Sequence, residues 1–175
     1  YLKKIIDSTD DDDLVSPIRL KPPIAPTIAA VKSGVPIDID KVWKAYEVLS
    51  NRHDFVVVEG IGGLMVPVDD TLFVADLVRK MDLPLVIVGS DYLGTINHTL
   101  LTVEYAKSRN IRIKGIIINM LKGDDGFVRE IEKYSSVPIL GTIPFKENVS
   151  VENCVYGDIV EDLRREINIS KIMRK

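Results

Sequence analysis

The stretch Phe55-Val-Val-Val-Glu-Gly-Ile-Gly-Gly-Leu-Met-Val-Pro67 decides the fold, because it joins a short apolar run to an acidic residue and a glycine-rich turn. Two more runs of the same kind follow, Leu85-Val-Ile-Val88 and Gly115-Ile-Ile-Ile-Asn119, and Ile139 to Ile143 reads as a weaker fourth. Continuous β-branched runs of strand length are what a strand buried on both faces requires. Longer amphipathic stretches separate them, so the chain reads as βαβ units: an α/β fold with a mostly parallel sheet flanked by helices.

The helices are legible from their spacing. Val42, Ala45, Tyr46 and Leu49 share one face, with Asp40 as the expected cap. Asp70 or Thr71 is the expected cap of a helix over 72–81. Ile96, Leu100, Val103 and Ala106 form another stripe, Phe127, Ile131 and Tyr134 a shorter one, and Ile159, Leu163 and Ile167 a last one. Five of the nine prolines fall in Ser16–Pro36, which predicts an extended or turn-rich segment covering a sheet edge. Asp10–Asp13 reads as a solvated loop, and Tyr1–Ile6 as a helix. No repeat or linker divides the chain, so residues 1–175 are expected to form a single α/β domain.

Composition narrows the function. With 46% hydrophobic and 28% charged residues, the 175-residue chain is globular rather than disordered. No apolar run reaches the ~20 residues of a membrane span and no leader is visible, which argues for a cytoplasmic protein without a membrane partner. One cysteine, Cys154, excludes an internal disulfide, agrees with a reducing compartment, and reads as inert. A net charge of -3 with interspersed signs argues against nucleic acid and for small-molecule partners.

Three segments carry chemistry. Glu59 ends an apolar run, at the edge where open α/β sheets bind ligands, and Gly60, Gly62 and Gly63 let backbone amides approach an anion. Glu59 is therefore a candidate ligand for Mg2+ bridging nucleotide phosphates, although a strand end followed by a plain turn explains the pattern equally well. In Leu93-Gly-Thr-Ile-Asn-His-Thr99 a loop enters a helix, whose free first-turn N–H groups suit a substrate carboxylate; Thr95 and Asn97 add polar side chains. His98 has no acid or nucleophile partner in view, which favours a structural or hydrogen-bonding role over a general base. Asn119, at a strand end, suits a planar base with an apolar wall from Ile143-Pro-Phe145, or simply forms a turn. His53 reads as a helix-end residue and Trp43 as packing.

Val58-Glu-Gly-Ile-Gly-Gly63 with Pro67 downstream, Leu93-Gly-Thr-Ile-Asn-His98, the Gly-x-x-x-Asn of Gly115–Asn119 and Gly141-Thr-Ile-Pro144 together resemble the dethiobiotin synthetase family of biotin biosynthesis. The likeness runs from about Ile24-Ala-Pro26 to Phe145. It implies a P-loop NTPase-like three-layer sandwich and an ATP- and Mg2+-dependent cyclo-ligase. Such an enzyme carboxylates 7,8-diaminononanoate with CO2, phosphorylates the carbamate and closes a cyclic urea. It also implies a homodimer with the active site at the interface. By matching motif, Glu59, Gly62, Gly63, Asn119 and Pro144 would contact ATP, Glu59 also the metal, and Gly94, Thr95, Ile96 and Asn97 the substrate carboxylate.

The resemblance is incomplete. The family's N-terminal strand, its Gly-Thr-x-Thr-x-x-Gly-Lys-Thr loop and its catalytic Lys have no counterpart here, and Ala25-Pro-Thr27 stands where Ala-Pro-His is common. Lys122 and Lys146 do not substitute. The expectation is a C-terminal portion lacking the N-terminal strand or strands, with no catalytic residue of its own and no productive grip on ATP phosphates. A degenerate relative is less favoured, because losing a central strand leaves unpaired backbone groups. Two rival readings are a non-catalytic, P-loop-less nucleotide-sensing or interaction domain, and a cobyrinic-acid-type amide synthase relative. Retention of both Glu59 and the Leu93–His98 loop speaks against the first, and the lack of a glutaminase-like nucleophile against the second.

Overall fold

The computed structural model describes residue 3 and residues 6–150, 152–153 and 155–173. The helix read over residues 1–6 falls largely outside these, and Cys154 falls outside altogether. The chain forms two compact units, Tyr1–Asp76 and Leu77–Lys175.

The first unit is helical. It holds α1 (Asp12–Val15), α2 (Pro26–Ser33) and α3 (Ile39–Arg52), and the start of α4 (Val74–Lys80). Two expectations are corrected here. The proline-rich segment contains a helix, because Pro26 occupies the first helical position, where the N–H it lacks has no intrahelical acceptor anyway. Asp38, not Asp40, caps α3, its carboxylate accepting from the Asp40 N–H at 3.2 Å. Ala45 is buried on α3, with Val42, Tyr46 and Leu49 half-buried on the expected face. Trp43 is half-buried as well.

Asp10 also departs from expectation, since the acidic run is not uniformly solvated. The Asp10 side chain is only 10% exposed and accepts from Ser8 Oγ (2.9 Å) and Arg52 (3.3 Å), with His53 Nε2 at 2.7 Å. It thus fastens the loop before α1 to the C-terminal end of α3. The Ser8 hydroxyl foremost, with His53 and Arg52, holds the Asp10 carboxyl below the usual carboxylate range. A lowered folded-state pKa contributes stability that is present above the unfolded value near 4 and lost as pH falls through the folded one. Asp10→Asn is therefore expected to lower Tm at pH 7, with the difference from wild type shrinking as pH drops below about 4. A thermal melt series from pH 7 to 3 checks this, and a pH-independent difference refutes it.

A further correction concerns Phe55–Val58. The run has the composition of a strand, yet no strand forms there, and Val57 is 80% exposed. A strand exists by its ladder, and among the described residues this run has no ladder partner.

The second unit carries the sheet. Its elements are β1 (Leu85–Ser90), α5 (Thr95–Ser108), β2 (Ile113–Leu121), α6 (Gly126–Ser135), β3 (Ile139–Pro144), α7 (Ile159–Glu166) and α8 (Ile169–Met173). The strand order is β1-β2-β3, all parallel, with Ser90 opposite Asn119 and Leu121 opposite Pro144. The three runs expected to be strands in this unit are strands, flanked by helices as an α/β fold requires. Ile87, Ile116 and Ile118 pack with Val103 of α5 and with Val128 and Ile131 of α6 to form the core. The other end of the unit packs closely at Gly141. A Cβ there would lie 2.1 Å from the Glu166 carbonyl oxygen, and the Asn168 N–H bonds the Leu140 carbonyl at 2.9 Å. No described helix is long and apolar enough to cross a membrane.

Candidate active site

Parallel strands deliver their carboxyl ends to one edge, the place where α/β sheets bind ligands. In the second unit that edge collects Ser90 ending β1 and Asp91 after it, Asn119–Leu121 ending β2, and Pro144 ending β3 with Phe145 after it. Six of the residues singled out in the sequence lie in this unit: Asn119 and Pro144 at strand ends, and Gly94, Thr95, Ile96 and Asn97 where α5 begins.

Helix α5 begins close against β1. Gly94 is its N-cap with φ 100°, a left-handed conformation that a side chain would strain. Thr95 and Thr99 are buried, and a Cβ on Gly89 would stand 3.2 Å from Thr99 Oγ1 and 3.6 Å from Thr95 Oγ1. The helix therefore needs a glycine in β1 to come this near. Thr95 N–H donates to the Tyr92 carbonyl (3.1 Å) and His98 N–H to the Gly94 carbonyl (3.0 Å). Between them, the Ile96 and Asn97 N–H groups belong to the first turn, where no intrahelical acceptor exists, so they can meet an anion. His98 makes a hydrogen bond, as expected: its Nδ1 lies 2.6 Å from Tyr92 Oη, which closes the loop over Gly94. Leu93, at the loop tip, is fully exposed.

The ends of β2 and β3 are tied down from several sides. Asp91 N–H donates to the Asn119 carbonyl (3.2 Å) and its carboxylate accepts from the Lys122 N–H (2.9 Å). Phe145 N–H donates to the Leu121 carbonyl (2.9 Å), and Lys122 Nζ sits 5.0 Å from the Phe145 ring centre. Beyond Phe145, Lys146 bridges Asp162 (2.8 Å) and Asp158 (3.1 Å), and Arg165 reaches the same buried Asp162 at 2.7 Å. Asp162 above all, then Asp158, raises the Lys146 pKa. This network anchors the turn after Pro144 to α7. No spacing rule signals it, because Lys146 lies in the turn after β3 and Asp162 sixteen positions on, in α7.

Glu59, Gly62 and Gly63 lie in the first unit. Glu59 is exposed; Gly62 has φ 77°, and a Cβ on Gly63 would meet open space. The segment after them is held by a tight turn. Asp69 accepts from the N–H groups of Thr71 (2.7 Å) and Leu72 (2.8 Å), and the Val74 N–H donates to Val66 (3.0 Å). Asp69 thus closes this turn where Asp70 or Thr71 was expected to cap a helix. Helix α4 starts later, at Val74, with the Asp76 carboxylate accepting from the Phe73 N–H at 2.9 Å. The Thr71 amide is the main cause holding the Asp69 carboxyl below its usual range. Among the described residues no three His, Cys, Asp or Glu side chains cluster to hold a metal. That suits Mg2+ only in its usual nucleotide-site form, with one or two carboxylates and the remaining positions filled by phosphate oxygens and water.

A family model described as "AAA domain" matches residues 1–153. The chain is 37% identical over 161 residues to the ATP-dependent dethiobiotin synthetase BioD of Methanocaldococcus jannaschii, covering 86% of this chain and 75% of that protein. The BioD protein of Thermodesulfovibrio yellowstonii is 36% identical over 82% of this chain and 65% of its own length. That of Bacillus velezensis is 38% identical over 98% and 74%. The chain thus spans 65 to 75% of these relatives' length. Identity at this level over most of the chain establishes that the chain belongs to the dethiobiotin synthetase family, a family of ligases.

Proposed function

We propose that the protein forms dethiobiotin from 7,8-diaminononanoate, CO2 and ATP. The observation that carries this reading is the α5 N-terminus, with two first-turn amides free of intrahelical acceptors, seated against β1 on the same sheet edge as Asn119 and Pro144. One edge then serves both an anionic substrate end and a nucleotide base. The backbone N–H groups of Ile96 and Asn97, with Gly94 and Thr95 shaping the turn, take the substrate carboxylate. Asn119 and Pro144 take the adenine, and Gly62 and Gly63 lie against phosphate. Glu59 supplies a carboxylate for Mg2+, which when bound neutralises charge on phosphate oxygens.

In the reaction an amine nitrogen of the substrate attacks CO2 to give a carbamate. A carbamate oxygen then takes the γ-phosphoryl group as the bond to ADP breaks. The second amine attacks the carbamoyl carbon, and phosphate leaves with closure of the urea. The chain's residues contribute by position: holding the substrate carboxylate fixes both amines, and effective concentration supplies much of the rate for such a step.

A homodimer is part of the same proposal. Leu93 at the loop tip before α5 and Leu101 on α5 are both exposed apolar side chains near the carboxylate site, surface that a second copy of the chain would cover. The protein is proposed to act in the cytoplasm, with residues 1–175 belonging to one α/β domain. In the full-length protein, ATP-dependent incorporation of labelled CO2 into a cyclic urea tests the reaction. Glu59→Gln is expected to lower kcat about a hundredfold or more with an unchanged circular dichroism spectrum. Unchanged turnover would sink the assignment of Glu59, and absence of labelled product the reaction itself.

A further inference from the structure

Helix α7 packs on β3 and is attached to it at both ends. Its C-terminal end is seated at Leu140 and Gly141, through the Asn168 N–H bond to the Leu140 carbonyl and the close approach of the Glu166 carbonyl to Gly141. Its N-terminal half reaches the turn that follows β3. Lys146 Nζ lies 2.8 Å from Asp162 and 3.1 Å from Asp158, and Asn148 Nδ2 donates to Asp158 Oδ1 at 3.4 Å. Gly157, just before α7 with φ 47°, permits this, since a Cβ there would stand 2.6 Å from Asn148 Nδ2. The helix therefore holds the chain both before and after Pro144.

The two cations on Asp162 are not equivalent. The Asp162 side chain is 7% exposed, Lys146 25% and Arg165 67%. A buried carboxylate needs a partner that is itself withdrawn from water, and Lys146 is that partner. Arg165 lies in solvent and shares its charge with Glu166 at 2.7 Å. Of the two, Lys146 belongs to the turn and Arg165 to the helix. Next to Lys146, Phe145 is fixed by its N–H bond to Leu121 and by Lys122 near its ring. Pro144 and Phe145 are thus in place before a ligand arrives, and a surface already ordered spares the cost of ordering it on binding.

We propose that Lys146 is a positioning residue for the nucleotide: through Asp162 and Asp158 it fixes the apolar wall of Pro144 and Phe145 to α7, without touching the nucleotide itself. This rests on the nucleotide site proposed above. Lys146 then acts on the affinity for ATP and leaves the chemical step alone.

The test uses the full-length protein, with ATP binding measured by titration calorimetry and turnover measured separately, at a temperature where circular dichroism shows every variant folded. Lys146→Met is expected to raise both the Kd and the KM for ATP about tenfold, the cost of ordering a side chain at binding instead of beforehand. Its kcat at saturating ATP and its KM for 7,8-diaminononanoate should stay within about twofold of wild type. Lys146→Arg, which keeps a cation for Asp162, should restore most of the affinity. Arg165→Met removes the other cation from Asp162 without releasing the turn, so it should lower Tm and leave the Kd for ATP unchanged. If Lys146→Met does not fold, the double variant Lys146→Met with Asp162→Asn, which leaves no buried carboxylate unpaired, takes the same measurements. An unchanged Kd in the variant lacking Lys146 overturns the proposal. So does an equal rise in Arg165→Met, since general loosening of α7 would then explain both. A wild-type protein that binds no ATP overturns the nucleotide site and this proposal together, whereas ATP binding that is indifferent to Lys146 overturns this proposal alone.

Discussion

Gly141→Ala is expected to destabilise the second unit strongly, because the new methyl group has no place to go. Its Cβ would stand 2.1 Å from the Glu166 carbonyl oxygen, 2.9 Å from the Glu166 carbonyl carbon and 2.7 Å from Ile167 Cδ1. A flexible side chain could give way, but the nearest atom is backbone at the end of α7. Relief requires β3 and α7 to separate, which breaks the Asn168 N–H bond to Leu140 and removes Ile167 from its buried position. Overpacking in a tolerant core costs about 1–3 kcal/mol, and a clash against backbone lies at or above the top of that range. Against a total stability of the order of 5–15 kcal/mol, such a loss is a large fraction. Urea unfolding followed by circular dichroism checks it; a midpoint within error of wild type refutes the close packing of β3 on α7.

Ile118→Ala is the second large effect and works through the opposite defect. Ile118 is fully buried in the central strand, packed with Val103, Val128 and Ile131 from two helices. Removing three carbons leaves a cavity that those helices cannot close without leaving the sheet. Isoleucine-to-alanine changes at such sites cost about 2–5 kcal/mol. The urea midpoint should fall with the slope unchanged, since the unfolded surface exposed is nearly the same. A loss under 1 kcal/mol would mean that the sheet and helices are not packed through this residue. Because Ile118 directly precedes Asn119, the variant should also weaken nucleotide binding in the full-length protein before it unfolds.

The strands of the second unit were legible because their residues answer a local question and a global one alike. Leu85–Val88, Gly115–Asn119 and Ile139–Ile143 are β-branched and apolar, and each finds a parallel neighbour. Phe55–Val58 gives the same local answer and finds none, so composition shows the capacity for a strand but not the partner. The prolines misled in a comparable way. Their number in Ser16–Pro36 argues against helix, whereas their placement, with Pro26 at a helix start, permits one. The site divides along the same line. The α5 turn is written in Leu93–His98 and the strand-end position of Asn119 follows from its run. Asp10, by contrast, meets Arg52 and His53 across more than forty residues, and no spacing rule reaches that far. Nothing in the identity of Met120 announces its left-handed backbone, φ 59° within β2.

The parallel register sets where the gene tolerates change. Side chains alternate along a strand, so one residue deleted from the middle of β2 would turn Asn119 to the opposite face and pull Leu121 out of register with Pro144. A residue inserted at the exposed Glu147 or Asn148, beyond the strand end, leaves every one of those pairings alone. Variation in length among functional descendants of this sequence is therefore confined to the loops, while the spacing from Gly115 to Pro144 changes only where the loop around Lys122–Asp125 absorbs it.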